Sequence, residues 1–220
     1  MARWIDIDNP IAPMRAWHAE PPEPSRGAVV VIQEIFGVNA HIRGVTERLA
    51  AAGFVALAPA LFDPVQAGVE LGYDEDGVAR GRELAASLGF ERALELIDAT
   101  AEVLQEEGLR TGAVGFCWGG TLALLANTRL GLPAVSYYGG RSMPFLGERL
   151  RAPMLFHFGE RDPIIPPEHV AAHHEAFPAA GIHLYPAGHG FNCEQREDFD
   201  PASADLAWQR TTGFLDENLR

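Results

Sequence analysis

One cysteine lies where a predicted strand turns into a predicted helix. The motif Gly115-Phe116-Cys117-Trp118-Gly119-Gly120 follows the apolar run 111–116 and leads into a helical pattern over residues 121–127. In such a nucleophile elbow the central side chain is lifted above the sheet edge, and the flanking glycines let strand and helix pass closely. Cys117 is therefore a candidate nucleophile. The alternative is an inert buried thiol, since free cysteine also behaves as a small hydrophobic residue.

An acid and a histidine follow the elbow in the order that a nucleophilic triad requires. Asp162 lies before Pro163, and His189 lies between two glycines. Together they could serve a cysteine that attacks a carbonyl as a thiolate, with His189 as the proton carrier and Asp162 orienting the imidazole. The alternatives are that Asp162 only starts a turn or caps a helix, and that His189 is a solvated loop histidine.

The end of the first predicted central strand carries further chemistry. The backbone N–H groups of Trp118 and of Ile35, or a close neighbour of Ile35, are placed to receive an oxyanion. Glu34 follows a buried apolar run, where a carboxylate needs a partner or a shifted pKa. Beside the resting thiol it could hold Cys117 protonated until substrate displaces it. The alternative is a pair with an arginine such as Arg43.

The elements that must position these residues alternate along the chain. The prolines of residues 1–27 favour one or two edge strands there. Further strands are predicted at 28–33, 54–58, 111–116, 134–138, 154–158 and 182–185. Helices are predicted at 39–52, 78–88 and 91–107, in a stretch that begins at residue 121, and at about 202–219. This alternation predicts an α/β fold with a mostly parallel central sheet and helices on both faces. Each candidate residue follows a strand, and ligands bind at that edge of such sheets.

Residues 61–77 form a long turn-rich segment between the strand predicted at 54–58 and the helix predicted at 78–88. Loops longer than about 12–15 residues in compact domains usually serve a function. We expect this segment to form a lid or a wall of the substrate pocket.

Composition narrows the classes of protein that are possible. A chain of 220 residues with 47% hydrophobic residues suits a single domain, residues 1–220. The formal net charge of −13 argues against a nucleic-acid partner, and no run reaches the ~20 apolar residues that would span a membrane. Two cysteines and no visible signal peptide predict free thiols and a cytoplasmic location. A monomer is the expected state.

No cofactor or metal ion is expected from the sequence. His169, His173 and His174 recur at helical spacing and are interpreted as a solvated helix face. They lack cysteine or carboxylate companions at the spacing of metal ligands.

Four motifs taken together resemble one known family. The stretch Gln33-Glu34-Ile35-Phe36-Gly37-Val38-Asn39, the cysteine elbow, Asp162 and Gly188-His189-Gly190-Phe191 are similar to the dienelactone hydrolase (carboxymethylenebutenolidase) family. The resemblance implies an α/β-hydrolase fold without a large cap and hydrolysis of a small lactone or ester through an acyl-thioenzyme. It also implies a Cys117, Asp162 and His189 triad, a Glu34 that exchanges partners when substrate binds, and pocket roles for Phe36 and Phe191.

Some positions depart from the family pattern. Of the two arginines that grip a substrate carboxylate in well-known members, Arg82 matches the first, with Arg80 as a neighbour. Cys193 stands where the second would be, Arg196 comes three residues later, and Gly190 replaces a hydroxyl-bearing residue. A general carboxylesterase, a ligand-binding protein without turnover and a redox-responsive Cys117 with Cys193 as partner therefore remain alternatives.

Overall fold

A computed structural model of the protein describes residues 1–9 and 11–220. Its strands are β1 (Ala2–Ile7), β2 (Met14–Ala19), β3 (Ala28–Ile32), β4 (Val55–Pro59), β5 (Thr111–Phe116), β6 (Ala134–Tyr137), β7 (Met154–Gly159) and β8 (Gly181–Tyr185). Its α-helices are α1 (Ala40–Ala51), α2 (Glu75–Glu106), α3 (Trp118–Leu125), α4 (Pro167–Ala176) and α5 (Pro201–Leu219). Each strand and helix predicted from the sequence is present, with ends shifted by a few residues.

The strands form one eight-stranded sheet in the order β1-β2-β4-β3-β5-β6-β7-β8. Strands β3 to β8 run parallel, whereas β1 and β2 pair antiparallel with each other and β2 pairs antiparallel with β4. The central strands β3, β4 and β5 are buried along their whole length, which explains their β-branched and small apolar residues. The mostly parallel α/β sheet predicted from the sequence is confirmed.

Helices α1, α2, α3 and α5 contact this sheet. Asn39 begins α1 by accepting a hydrogen bond from the N–H of Ile42 at 3.2 Å, and Asp74 begins α2 by accepting from Gly77 at 2.7 Å. Gly89 interrupts α2 with φ 74° and ψ 164°, which separates two helical stretches as the sequence predicts. The described residues contain no large cap domain, and none of their helices is long and apolar enough to cross a membrane.

The turn-rich segment before α2 lies against the loop that follows β3. Leu71 donates a backbone hydrogen bond to the carbonyl of Phe36 at 2.9 Å, and Glu70 forms an isolated bridge with Gly37. This contact carries the next residues, including Tyr73, toward the sheet edge where the candidate residues lie.

One helix face differs from the sequence interpretation. His173, expected on a solvated face of α4, is buried. Its Nε2 lies 3.0 Å from the hydroxyl of Ser142, and its ring packs on Phe156 and Phe158 with centroid distances of 5.2 and 5.0 Å. The helical spacing of the three histidines was insufficient evidence for exposure, because α4 turns the middle one toward the core.

Candidate active site

The turn between β5 and α3 holds Cys117 in a strained backbone conformation. Its φ of 52° is positive, which is rare for a residue with a side chain and typical of functional turns. A Cβ on Gly115 would overlap the carbonyl of Gly119, and a Cβ on Gly119 would overlap carbonyls at the end of β3. The two glycines therefore permit the close crossing that lifts the Cys117 side chain above the sheet edge.

The Cys117 thiol, the His189 imidazole and the Asp162 carboxylate form a chain of two hydrogen bonds. Nε2 of His189 lies 3.2 Å from Sγ of Cys117, and Nδ1 of His189 lies 2.7 Å from Oδ2 of Asp162. The second oxygen of Asp162 accepts hydrogen bonds from the N–H groups of Ile164 and Ile165 at 2.8 and 3.3 Å. His189 and Asp162 are buried, while Cys117 is partly exposed. The geometry can therefore move a proton between the sulfur and the imidazole.

The environment of His189 favours its protonated form. Burial of the ring by itself lowers the pKa of His189, but the adjacent Cys117 sulfur and the Asp162 carboxylate outweigh burial and raise this pKa to about 10. A positively charged imidazole next to sulfur stabilises a thiolate. The arrangement is suited to nucleophilic attack by Cys117.

Two residues with candidate oxyanion donors share the cavity of Cys117. Trp118 is the first residue of α3, Ile35 follows β3, and both line the same cavity as Cys117. Within the described residues, neither N–H donates a backbone hydrogen bond in a turn or loop. Both N–H groups are therefore available as donors, and their role toward an oxyanion stays a prediction.

Glu34 lies next to this arrangement with different partners from those expected. It is fully buried, Oε2 accepts from the hydroxyl of Tyr73 at 3.4 Å, and Oε1 lies 3.4 Å from Nη1 of Arg196. Burial and the Glu34 carboxylate raise the pKa of Tyr73, so the hydroxyl keeps the proton that it donates. Among the described residues, Glu34 makes no hydrogen bond to Cys117. Arg43, the alternative partner considered from the sequence, pairs instead with Glu70 at 2.8 Å.

A cavity of about 220 Å³ opens above the sulfur. Its polar lining includes Cys117, His189 and three arginines, Arg82, Arg141 and Arg196, and no carboxylate of the described residues lines it. Arg82 and Arg141 are exposed at its rim, and neither forms an ion pair with a described residue. The cavity therefore suits a small substrate that carries negative charge.

The remaining predicted pocket residues divide into two groups. Ile35 and Phe36 line the cavity, together with the apolar Val78, Trp118 and Ile164. Phe191 does not: it is fully buried against Tyr138 and Tyr185, with centroid distances of 5.5 and 5.1 Å, and its contact with substrate stays a prediction. Arg80 is also excluded from the cavity lining, because it pairs with Glu83 at 2.5 Å on the surface.

Three site residues were not assigned from the sequence. The reach of Arg196 depends on the fold of the loop after His189, and Arg141 lies in the loop after β6. Tyr73 lies in the segment expected to wall the pocket, and its hydroxyl also accepts from Asn39 at 3.0 Å. The presence of a tyrosine in that polar, turn-rich segment was the one feature of the sequence that could have indicated Tyr73 as a site residue.

Outside this cavity lining, one group of side chains has the chemistry of metal ligands. A carboxylate oxygen of Glu34, a ring nitrogen of His41 and the sulfur of Cys193 all lie within 4.8 Å of one another. These residues are far apart along the chain, so the spacing of ligands in the sequence could not reveal them.

A nucleophile elbow, an acid after β7 and a histidine after β8, on a mostly parallel sheet, define an α/β-hydrolase. Comparison with known proteins specifies the family. The family model described as "Dienelactone hydrolase family" matches residues 14–219, and this chain belongs to that family. It is accordingly a hydrolase of the dienelactone hydrolase type.

Individual relatives agree with this placement. Carboxymethylenebutenolidase of Pseudomonas sp. (strain P51) is 33% identical over 214 residues, covering 90% of this chain and 88% of the relative. A protein of Escherichia coli (strain K12) that is assigned as a carboxymethylenebutenolidase is 35% identical over 224 residues, covering 90% of this chain and 80% of the relative. A crystal structure from Klebsiella pneumoniae, assigned as a dienelactone hydrolase, is 30% identical and covers 97% of both chains with a TM-score of 0.84.

Proposed function

We propose that this protein hydrolyses a small lactone or carboxylic ester with Cys117 as nucleophile, and that the substrate carries a carboxylate near the scissile bond. The 3.2 Å contact between Cys117 Sγ and His189 Nε2, at the base of a cavity lined with arginines, is the observation that supports this function most directly. The carboxymethylenebutenolidase names of the relatives agree with lactone hydrolysis.

In the first half of the reaction, the Cys117 thiolate forms a bond to the carbonyl carbon and the carbonyl electrons move to oxygen. The N–H groups of Trp118 and Ile35 stabilise that oxyanion. When the carbon–oxygen bond of the leaving group breaks, the His189 imidazolium gives its proton to the departing oxygen. In a lactone this oxygen stays tethered to the acyl group.

In the second half, neutral His189 takes a proton from water, and the hydroxide formed attacks the thioester. Collapse of the second oxyanion breaks the carbon–sulfur bond and returns the thiolate–imidazolium pair. Asp162 holds Nδ1 of His189 by the 2.7 Å hydrogen bond, so Nε2 faces the sulfur throughout.

The three arginines of the cavity are the reason for proposing a negatively charged substrate. Arg82 and Arg141 lie at the rim and can attract a carboxylate, whereas Arg196 lies deeper and already pairs with Glu34. A substrate carboxylate that pairs with Arg196 competes with Glu34. This competition gives a physical basis for the partner exchange of Glu34 that the family resemblance implies.

The proposal is tested by mixing the protein in parallel with p-nitrophenyl acetate and cis-dienelactone, with Cys117→Ala as control, and by recording intact mass during turnover. We expect hydrolysis and a mass increase on the wild-type chain only. Hydrolysis that continues unchanged in folded Cys117→Ala would contradict the mechanism. Hydrolysis of the ester alone would retain the nucleophile and reject the lactone as substrate.

The redox-responsive alternative is not favoured by the contacts of the two thiols. The sulfur of Cys117 pairs with His189, while Cys193 is fully buried and donates to the Tyr73 hydroxyl at 3.2 Å. Peroxide treatment followed by thiol titration tests this alternative: loss of two thiols per chain, reversed by reductant, would support it.

A further inference from the structure

A second thiol and imidazole lie on the inner side of Glu34. Cys193 belongs to the loop after His189, His41 belongs to α1, and Glu34 follows β3. The three side chains are 0%, 1% and 0% exposed. One potential ligand atom from each lies within 4.8 Å of the other two. One polar atom of this group, Nε2 of His41, has no hydrogen-bond partner among the described residues, and an unpaired polar atom is costly in a protein interior.

His41 is oriented as a histidine ligand to a metal usually is. Its Nδ1 lies 3.2 Å from Oε2 of Glu194, and its Nε2 is buried with no hydrogen-bond partner in the part of the chain that the structure describes. Metal-bound histidines commonly donate their other ring nitrogen to a carboxylate, which fixes the ring and increases its basicity. Since Glu194 occupies Nδ1, Nε2 is the nitrogen left free to bind a ligand.

We propose that Glu34, His41 and Cys193 bind a zinc ion. Carboxylate oxygen, imidazole nitrogen and thiolate sulfur are the three ligand types of protein zinc sites, with bonds of about 2.0–2.3 Å. Two atoms bonded to the same ion are therefore at most about 4.6 Å apart. The ligand atoms of this group lie within 4.8 Å of one another, so side-chain rotations that bring them about 1 Å closer complete the tetrahedral coordination that zinc prefers.

The charges of the group are consistent with a divalent cation. Binding displaces the proton of the Cys193 thiol and any proton on Nε2 of His41. The site then presents the Cys193 thiolate and two carboxylates, Glu34 and Glu194, while Arg196 pairs with Glu34 and Arg48 lies near Glu194. Three anionic groups around one buried position favour a divalent cation. The Tyr73 hydroxyl, 3.2 Å from the Cys193 sulfur and 3.4 Å from Glu34, lies beside the coordination sphere.

Zinc at this position would also restrain Glu34. If the proposed function is correct, an ion that holds the Glu34 carboxylate limits its exchange with Arg196, and zinc slows turnover without touching Cys117. This consequence for activity rests on the proposed function, whereas binding of the ion does not.

The site is tested by direct metal binding to the full chain. Zn²⁺ is titrated by calorimetry, and Co²⁺ is used as a spectroscopic substitute because thiolate ligation gives a charge-transfer band in the near ultraviolet. We compare the wild type with Cys193→Ser, His41→Gln and Glu194→Gln. Cys117→Ser is the matched control, since it removes the other free cysteine. Circular dichroism and thermal unfolding establish that each variant is folded.

We expect one Zn²⁺ per chain and a thiolate–cobalt band in the wild type and in Cys117→Ser. Both should be lost in Cys193→Ser and His41→Gln. Glu194→Gln should weaken zinc binding by about 10–100-fold, the usual effect of removing a carboxylate behind a ligand. Binding that is absent from the wild type, that survives unchanged in folded Cys193→Ser, or that disappears in Cys117→Ser would overturn the proposal. The last result would place the ion at the Cys117–His189 pair.

Discussion

Gly190 and Arg196 are packed so closely that a side chain at position 190 would displace the Arg196 guanidinium. A Cβ on Gly190 would lie 2.7 Å from Nε and Cζ of Arg196, and the φ of Gly190 is +83°. The missing side chain gives Arg196 its path to Glu34 and the cavity. The two departures from the family pattern noted in this loop, a glycine after the histidine and a later arginine, are therefore complementary.

Replacing Gly190 with alanine should displace Arg196 and weaken binding of substrates that carry a carboxylate. We expect KM for such an ester to rise by about 10-fold, the equivalent of roughly 1.4 kcal/mol for one charged contact. KM for a neutral ester of the same length should change little. The positive φ should also reduce the free energy of unfolding by about 1–2 kcal/mol.

The matched control is Gly213→Ala on α5, where an added Cβ meets nothing within 4 Å. It should leave both KM values unchanged and preserve or raise stability. Equal effects of Gly190→Ala on the two esters would show that Arg196 does not recognise the carboxylate.

Arg82 should contribute to substrate binding mainly through charge. Because its side chain is exposed at the cavity rim without an ion-pair partner among the described residues, Arg82→Gln should lower kcat/KM for a carboxylate-bearing ester several-fold. The effect should shrink as salt is raised from about 0.01 to 1 M, since exposed charges are screened over about a Debye length. Steady-state kinetics with a charged and a neutral ester measure this difference. The control is Arg80→Gln, on a neighbouring residue that pairs with Glu83; a loss of the same size in that variant would contradict a specific role for Arg82.

The sequence was sufficient to predict features that depend on local pattern. Apolar runs located the parallel strands, Gly89 marked the break in α2, and the flanking glycines marked the turn at Cys117. The structure brings Cys117, His189 and Asp162 together, and their action in catalysis stays a prediction.

Features that depend on long-range packing were not accessible in the same way. The pairing of Glu34 with Arg196 joins residues 162 positions apart, and Tyr73 reaches them from a third segment. His173 was misjudged because helical spacing does not say which side of a helix faces the core. The Glu34–Arg196 pair depends on how the loops after β3 and β8 pack together, and the burial of His173 depends on how α4 packs on the core.

Stability should depend on pH through His189. Its pKa is raised from 6.5 to about 10 in the folded protein, so the folded state binds this proton more tightly than the unfolded state does. The stabilisation is therefore fully present below about pH 6.5 and is lost as the pH rises through about 10. Denaturant unfolding of the wild type and of His189→Gln at several pH values between 6 and 10 measures it. The stability advantage of the wild type should shrink across this range, and a constant difference would contradict the raised pKa.

Asp162→Asn should remove activity without removing the fold. The amide can still accept hydrogen bonds from Ile164 and Ile165 through its oxygen, but its NH₂ group would then face Nδ1 of His189. His189 would have to accept at Nδ1 and carry its proton on Nε2, the wrong tautomer for taking a proton from the sulfur. A comparable change in a serine protease lowers kcat by about 10⁴. We expect a loss of at least about 10²-fold in kcat, with near-native circular dichroism, and an Asp162→Asn enzyme of normal kcat would exclude this role for Asp162.

Glu34→Gln should strengthen the binding of small carboxylates. In the wild type the Arg196 guanidinium lies 3.4 Å from the Glu34 carboxylate, so an incoming carboxylate must compete with a buried anion for the same cation. The amide has nearly the same shape and no charge, which leaves Arg196 free for the ligand. Succinate, used as a competitive inhibitor, should therefore show a lower inhibition constant with Glu34→Gln than with wild type. Tyr73→Phe is the control, because it removes a hydrogen bond to Glu34 and keeps the carboxylate charge. An unchanged inhibition constant in folded Glu34→Gln would mean that Glu34 and substrate do not share Arg196.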